Sequence, residues 1–272
     1  MNQTLQKIDE IKKHGYHLDL GETITQTFEN YKKIALLAGA VLLLMVILLG
    51  IIVGGGVGLI FGAASLTESF TDISTTGTSS SMMLMLLVGS VIGYALIAPL
   101  YAGIIQMAHN AEIGDDFDFG TAFTHYKSTH FKNIFLATAL ITLFTAGIST
   151  VLDLVHLYSG DPTAPNLLSL IGALINILTS IFTVLTVPAI IFGNLNATQA
   201  IGASITLVTK KFWVILLLLI IFGIFSAIGV IALCIGVFFT LPVIYSLQYI
   251  IYRNAIPMED KNELDEIGET IY

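Results

Sequence analysis

The stretch Phe117-Asp118-Phe119-Gly120-Thr121-Ala122-Phe123-Thr124-His125-Tyr126 decides the fold, because it has a relative on either side. Upstream stands Leu18-Asp19-Leu20-Gly21-Glu22-Thr23-Ile24, and downstream Leu195-Asn196-Ala197-Thr198-Gln199-Ala200-Ile201. In each, Asp19, Asp118 or Asn196 offers a side-chain oxygen to an unpaired N–H at a helix start. A short amphipathic turn comes next, and then a long apolar run. One unit is used three times, over residues 18–108, 117–193 and 195–253, with polar tails at 1–17 and 254–272.

Composition sets the class. Apolar residues make up 55% of the chain and charged ones 11%, against roughly a quarter charged in an ordinary soluble domain. A water-soluble fold of this length could not cover itself with so little polar surface. The expected fold is all-α: a single polytopic membrane domain of six transmembrane helices, arranged as three repeated hairpins, each led by a short amphipathic interfacial helix. The lipid bilayer is then the main partner. Net charge is −8 and no basic cluster is long enough for nucleic acid. Cys234 is the single cysteine and lies inside an apolar run, so no intrachain disulfide is possible and a small buried hydrophobe is expected.

Residues 1–33 are polar and lysine-bearing, too long for the charged start of a cleavable signal peptide. Leu20, Ile24, Phe28 and Tyr31 fall on one helical face, which predicts a helix lying in the headgroup layer. From Ile34 to about Gly62 there is no charge, a run longer than the roughly 20 residues that span the hydrocarbon. Gly50, Gly54, Gly58 and Gly62 recur at every fourth position, a smooth groove against which another backbone can pack. Packing on the second span of the same chain is the plainer reading; a subunit interface or a pore lining is the sharper one.

Further apolar runs cover about 82–107 with Pro99, 134–152, 167–193 with Pro188, and 212–252 with Pro242. The last is long enough for two spans joined by a tight turn near Gly229. All eleven Lys and Arg fall in the first segment, in the connections after spans two and four, or in the tail. With six spans those places share one side, so both termini are expected in the cytosol.

Three kinds of polar position stand out. Asn176 lies inside the fourth span, with Thr179, Ser180 and Thr183 as candidate partners. Gln106, Asn194 and Gln248 each come about two turns after a proline. They either line a solute path or mark where a helix meets the headgroups. The connection after span two holds His109, Glu112, Asp115, Asp116, Asp118, His125 and His130, but no metal-binding spacing, so neither metal nor cofactor is expected.

The sequence Pro99-Leu100-Tyr101-Ala102-Gly103, the Phe117-Asp118-Phe119-Gly120 cap and the repeated hairpins resemble a group of bacterial six-span proteins. Related to that group are the YciC-like inner-membrane proteins and the membrane domain fused to some glycerophosphodiester phosphodiesterases. The resemblance implies an integral domain of the bacterial cytoplasmic membrane and supplies no catalytic residue. Phosphodiester hydrolysis is not inferred, because the chain has no room for the soluble catalytic domain. No Gly-x-Ser-x-Gly elbow, phosphate loop or zincin motif is present either. Two readings remain: a non-enzymatic membrane protein that assembles with its own copies or another membrane protein, or passes a small solute, and a membrane-bound enzyme acting on lipid headgroups through the 109–130 connection.

Overall fold

Helices begin at all three cap residues. In the computed structural model, which describes residues 3–61, 80–159, 164–231 and 236–258, the N–H of Glu22 donates to Asp19 Oδ1 at 2.8 Å. Asp118 accepts from the N–H of Thr121 at 3.0 Å, and the Thr121 hydroxyl takes up the Asp118 N–H in return. Asn196 and Gln199 form the same reciprocal pair. Each closes orphan donors that helix geometry leaves at an N-terminus.

Beyond their caps the three units diverge. Helix α1 (Gln3–His14) precedes the first cap, and α2 (Leu20–Phe61) then runs on without a break. The first lead is therefore the base of the span rather than a separate interfacial helix. Helix α3 (Ser80–Ile113) passes through Pro99 uninterrupted. After Asp118 come a 3₁₀ helix (Phe119–Phe123), the single turn α4 (Thr124–Lys127) and the long α5 (Phe131–Ser159). Helix α6 (Ala164–Thr183) stops short of α7 (Thr186–Ile191), which holds Pro188. After Asn196, α8 (Ala197–Lys210) leads into α9 (Phe212–Ile231), α10 (Gly236–Thr240) and α11 (Pro242–Ala255).

No strand occurs among the described residues. Five stretches there are long and apolar enough to cross a bilayer: Leu20–Leu49, Ser80–Ile113, Phe131–Tyr158, Leu167–Ile191 and Phe212–Val230. The region expected to form a sixth is divided at Leu241 between α10 and α11, neither long enough alone. Gly229 is not the turn before it. Helix α9 continues to Ile231, and Gly229 is a contact point where an added Cβ would collide with Thr240 and with the Gly236 backbone. Gly50, Gly54 and Gly58 are helical, but their surroundings lie outside the described residues, as do Gly62 and Cys234 altogether.

The core sits at the cap end. It takes in Ile34 to Leu42 of α2, Ala95 to Ala111 of α3, Ile134 and Ala137 of α5, Ile215 to Phe222 of α9 and most of α11. The apolar face Leu20, Ile24, Phe28 and Tyr31 packs only partly into it. The fully enclosed face of α2 is Thr23, Thr27, Asn30 and Ile34. Periodicity located the greasier stripe. Burial tracks the smaller side chains, because between lipid-embedded helices close approach rather than hydrophobicity holds neighbours together.

Candidate functional site

Proline removes a backbone donor, so the turn before each proline has hydrogen bonds to replace. The residue three places before each proline carries such a bond, made by a hydroxyl from a cap-led segment elsewhere in the chain. Before Pro99, Tyr126 donates to the Leu96 carbonyl at 2.8 Å. Before Pro242, Tyr31 donates to the Phe239 carbonyl at 2.9 Å. Before Pro188, the Leu185 N–H donates to Ser204 Oγ at 3.0 Å, while that hydroxyl donates to the Phe182 carbonyl at 2.7 Å. Ser204 thereby closes both sides of the gap between α6 and α7.

The proline-bearing helices α3, α7 and α11 also touch one another pairwise. Where they meet, three rings close on each other: His109 of α3, Phe192 just past α7 and Tyr249 of α11. Their centroids are 5.0, 5.6 and 5.7 Å apart. His109 Nδ1 and the Tyr249 hydroxyl are 3.2 Å apart and share a hydrogen bond. Ser246 and Tyr252 flank Tyr249 by about one turn on the same side of α11. Both are buried, and their hydroxyls, like that of Thr186 on α7, have no partner among the described residues.

A polar knot ties the same end together. Glu112 forms an ion pair with Arg253. Arg253 and Asn254 both donate to Gln26 Oε1, at 2.8 and 2.9 Å. Asn30, almost wholly buried, donates to the Ala108 carbonyl at 2.7 Å and more weakly to Glu112. Sequence reasoning missed Asn30, Ser204 and both tyrosines. One signal was available: Tyr31-Lys32-Lys33-Ile34, Phe131-Lys132-Asn133-Ile134 and Phe212-Trp213-Val214-Ile215 each pair an aromatic with isoleucine three residues on. Ile34, Ile134 and Ile215 are all 0% exposed.

The amides singled out by sequence do not meet. Gln106 is half-buried and donates to Asn110 of its own helix at 2.9 Å. Asn194 is exposed in the turn between α7 and α8, at φ +51°, and Gln248 is half-buried on α11. Asn176 does not bond Thr179 or Thr183 through its amide. It donates to Ser149 Oγ on α5 at 3.0 Å and to the Gly172 carbonyl at 2.9 Å, while Thr179, Ser180 and Thr183 each donate to a carbonyl four residues back. Helical side chains lean toward the N-terminus, which turns those hydroxyls away from the amide.

The acidic and histidine residues after α3 are also dispersed. Glu112 is held by Arg253, Asp118 by its cap, and His125 Nδ1 by Ser128 Oγ at 3.2 Å. Among the described residues no three of His, Cys, Asp and Glu come together as metal ligands would. His125 is buried, with Nε2 unpaired. Burial first, and then neighbouring His130, lowers its pKa to about 4.

Five apolar helices on a wholly helical framework define a multi-pass membrane protein. Comparison with family models, with curated proteins and with solved structures returns no match.

Proposed function

We propose that the chain is a non-catalytic six-span membrane protein, built from three hairpins in a closed pseudo-threefold ring, through whose centre a small solute passes. α10 and α11 together make the sixth span. Each cap-led segment leans on the proline helix of the hairpin before it, and the first leans on the last. The three proline-side hydrogen bonds have that cyclic order. The charge distribution puts both termini in the cytosol. Kinship with the bacterial six-span group and a place in a bacterial cytoplasmic membrane belong to the same reading.

The observation that carries passage is the meeting of His109, Phe192 and Tyr249, one from each proline-bearing segment, at the centre of the cap end. They act as a plug. The unpaired hydroxyls of Thr186, Ser246 and Tyr252 support it. In a sealed core each would cost about 1–3 kcal/mol, whereas beside a solute or water path each has a use.

In reconstituted vesicles, Phe192→Ala combined with Tyr249→Ala should raise glycerol uptake severalfold over wild type, measured by light scattering on protein that still elutes as a single folded species. Uptake equal to that of protein-free vesicles in both would overturn passage. Six spans are tested separately in a Cys234→Ala background. An impermeant maleimide added to intact cells should reach Asp153→Cys but not His14→Cys or Met258→Cys. Labelling of all three, or of the termini alone, would break the topology.

A further inference from the structure

Between α5, α6 and α8 lies a cavity of about 570 Å³, within the roughly 300–1,000 Å³ typical of small-ligand sites. Leu140, Ile141 and Phe144 of α5 face Ile201, Ile205 and Thr209 of α8 across it. Its hydroxyls are spent on their own helices: Thr179 on Ile175, Thr183 on Thr179 and Thr209 on Ile205. No side chain offers a polar solute a free hydrogen bond there.

A second junction of the same kind is filled. Ile24 and Phe28 stand five and nine residues after the cap Asp19, as Ile201 and Ile205 do after Asn196. Phe222 and Phe225 stand ten and thirteen residues into α9, as Ile141 and Phe144 do into α5. Phe28 closes on both Phe222 and Phe225 with ring centroids 5.1 Å apart, and Tyr31 adds a third ring at 5.7 Å. Where α2 brings Phe28, α8 brings the smaller Ile205, 42% exposed. The missing bulk is the cavity.

We propose that this cavity is a lipid site, occupied by one acyl chain of an anionic phospholipid whose phosphate rests on Lys210 and Lys211. The walls belong to membrane-crossing helices, so the surrounding medium is hydrocarbon and the occupant it supplies is a chain. Lys210 and Lys211 come directly after the lining residue Thr209, at the end of α8. They put positive charge at one end of the apolar slot, where an anionic headgroup gains most near a membrane surface. The inference rests on the membrane reading and not on solute passage.

Trp213 is the single tryptophan of the chain and is 77% exposed. It reaches the site through two ring contacts, Trp213 on Phe212 at 5.2 Å and Phe212 on the lining residue Phe182 at 5.6 Å. The protein is reconstituted in phosphatidylcholine vesicles containing a fixed minor fraction of either phosphatidylglycerol or phosphatidylcholine brominated on its acyl chain. Brominated phosphatidylglycerol should quench Trp213 more strongly. Ile205→Phe, which copies the filled junction, should remove that excess, and so should Lys210→Ala with Lys211→Ala. Equal quenching by the two lipids would reduce the site to ordinary annular contact and overturn the proposal. An excess that survives Ile205→Phe would overturn it too, by placing the selectivity on the surface rather than in the slot.

Discussion

The two ends of helix α3 are built from similar residues and behave oppositely. From Ala95 to Ala111 it is largely enclosed, whereas Leu84, Met85, Leu86 and Val88 are all more than half exposed. Consecutive helical residues point about 100° apart, so among the described residues no face of that far segment is covered. Helices α5 and α9 share the pattern: Ile134, Ile215 and Phe222 are sealed, while Phe144, Val151, Ile224 and Ile228 are bare. Apolar character is equal at both ends. The cap end differs in having small residues, Ala98, Ala102, Gly103 and Ala108, and hydroxyl or amide side chains that bond to a neighbouring backbone. In hydrocarbon, leucine has no reason to prefer leucine over a lipid tail, and close approach and hydrogen bonds supply the attraction instead.

One substitution made at both ends of α3 tests that contrast hardest. A Cβ on Gly103 would collide with the backbone of Ala122, whereas Gly89 and Gly93 have nothing within 4 Å. Gly103→Ala should destabilise by about 3 kcal/mol or more, as backbone overpacking does. Thermal unfolding in mild detergent would reveal it, and an unchanged melting temperature would show that the cap end is not close-packed.

The cap end should also respond to pH. His125 moves from an ordinary 6.5 to about 4 because burial, and then His130, disfavours its charged form. The unfolded chain takes up a proton in that window and the folded chain does not. The stability contributed by neutral His125 is therefore complete above about pH 6.5 and declines as pH falls toward 4. His125→Gln should flatten that decline in melts recorded across the window. An undiminished slope would assign it to other groups.

Smaller effects are expected from single hydrogen bonds. Ser204→Ala leaves the Phe182 carbonyl and the Leu185 N–H without the hydroxyl that joins them, and should cost about 1–3 kcal/mol. Asp118→Ala or Asn196→Ala removes a capping pair and should cost about 1 kcal/mol each. At the far end, Gly89→Ala should stabilise by at most about 1 kcal/mol through helix propensity. A large loss there would mean that the bare face of α3 has a neighbour it depends on.

Much of this architecture is legible in the sequence, for identifiable reasons. Asp19, Asp118 and Asn196 cap helices within three residues of themselves, and local chemistry of that range is written in local sequence. The five apolar stretches are legible because hydrocarbon thickness sets their length. Asn176 is legible as a buried amide in need of a partner, but the partner, Ser149, sits 27 residues away on another helix. The amides Gln106, Asn194 and Gln248 look equivalent through their spacing after proline. Their surroundings separate them, one bonded along its own helix and one in an exposed left-handed turn.

The amino-acid order alone determined that the chain is helical, that it belongs in lipid, and where its helices begin. Those properties come from composition, run length and hydrogen bonds that close within a turn or two. Only the tertiary structure decided that Thr23, Thr27 and Asn30 rather than Leu20, Ile24 and Phe28 form the enclosed face of α2, and that three tyrosine and serine hydroxyls answer the three prolines. It alone brought His109, Phe192 and Tyr249 together. Each of these depends on how closely two backbones can approach, and that is set by pairs of residues far apart in the chain.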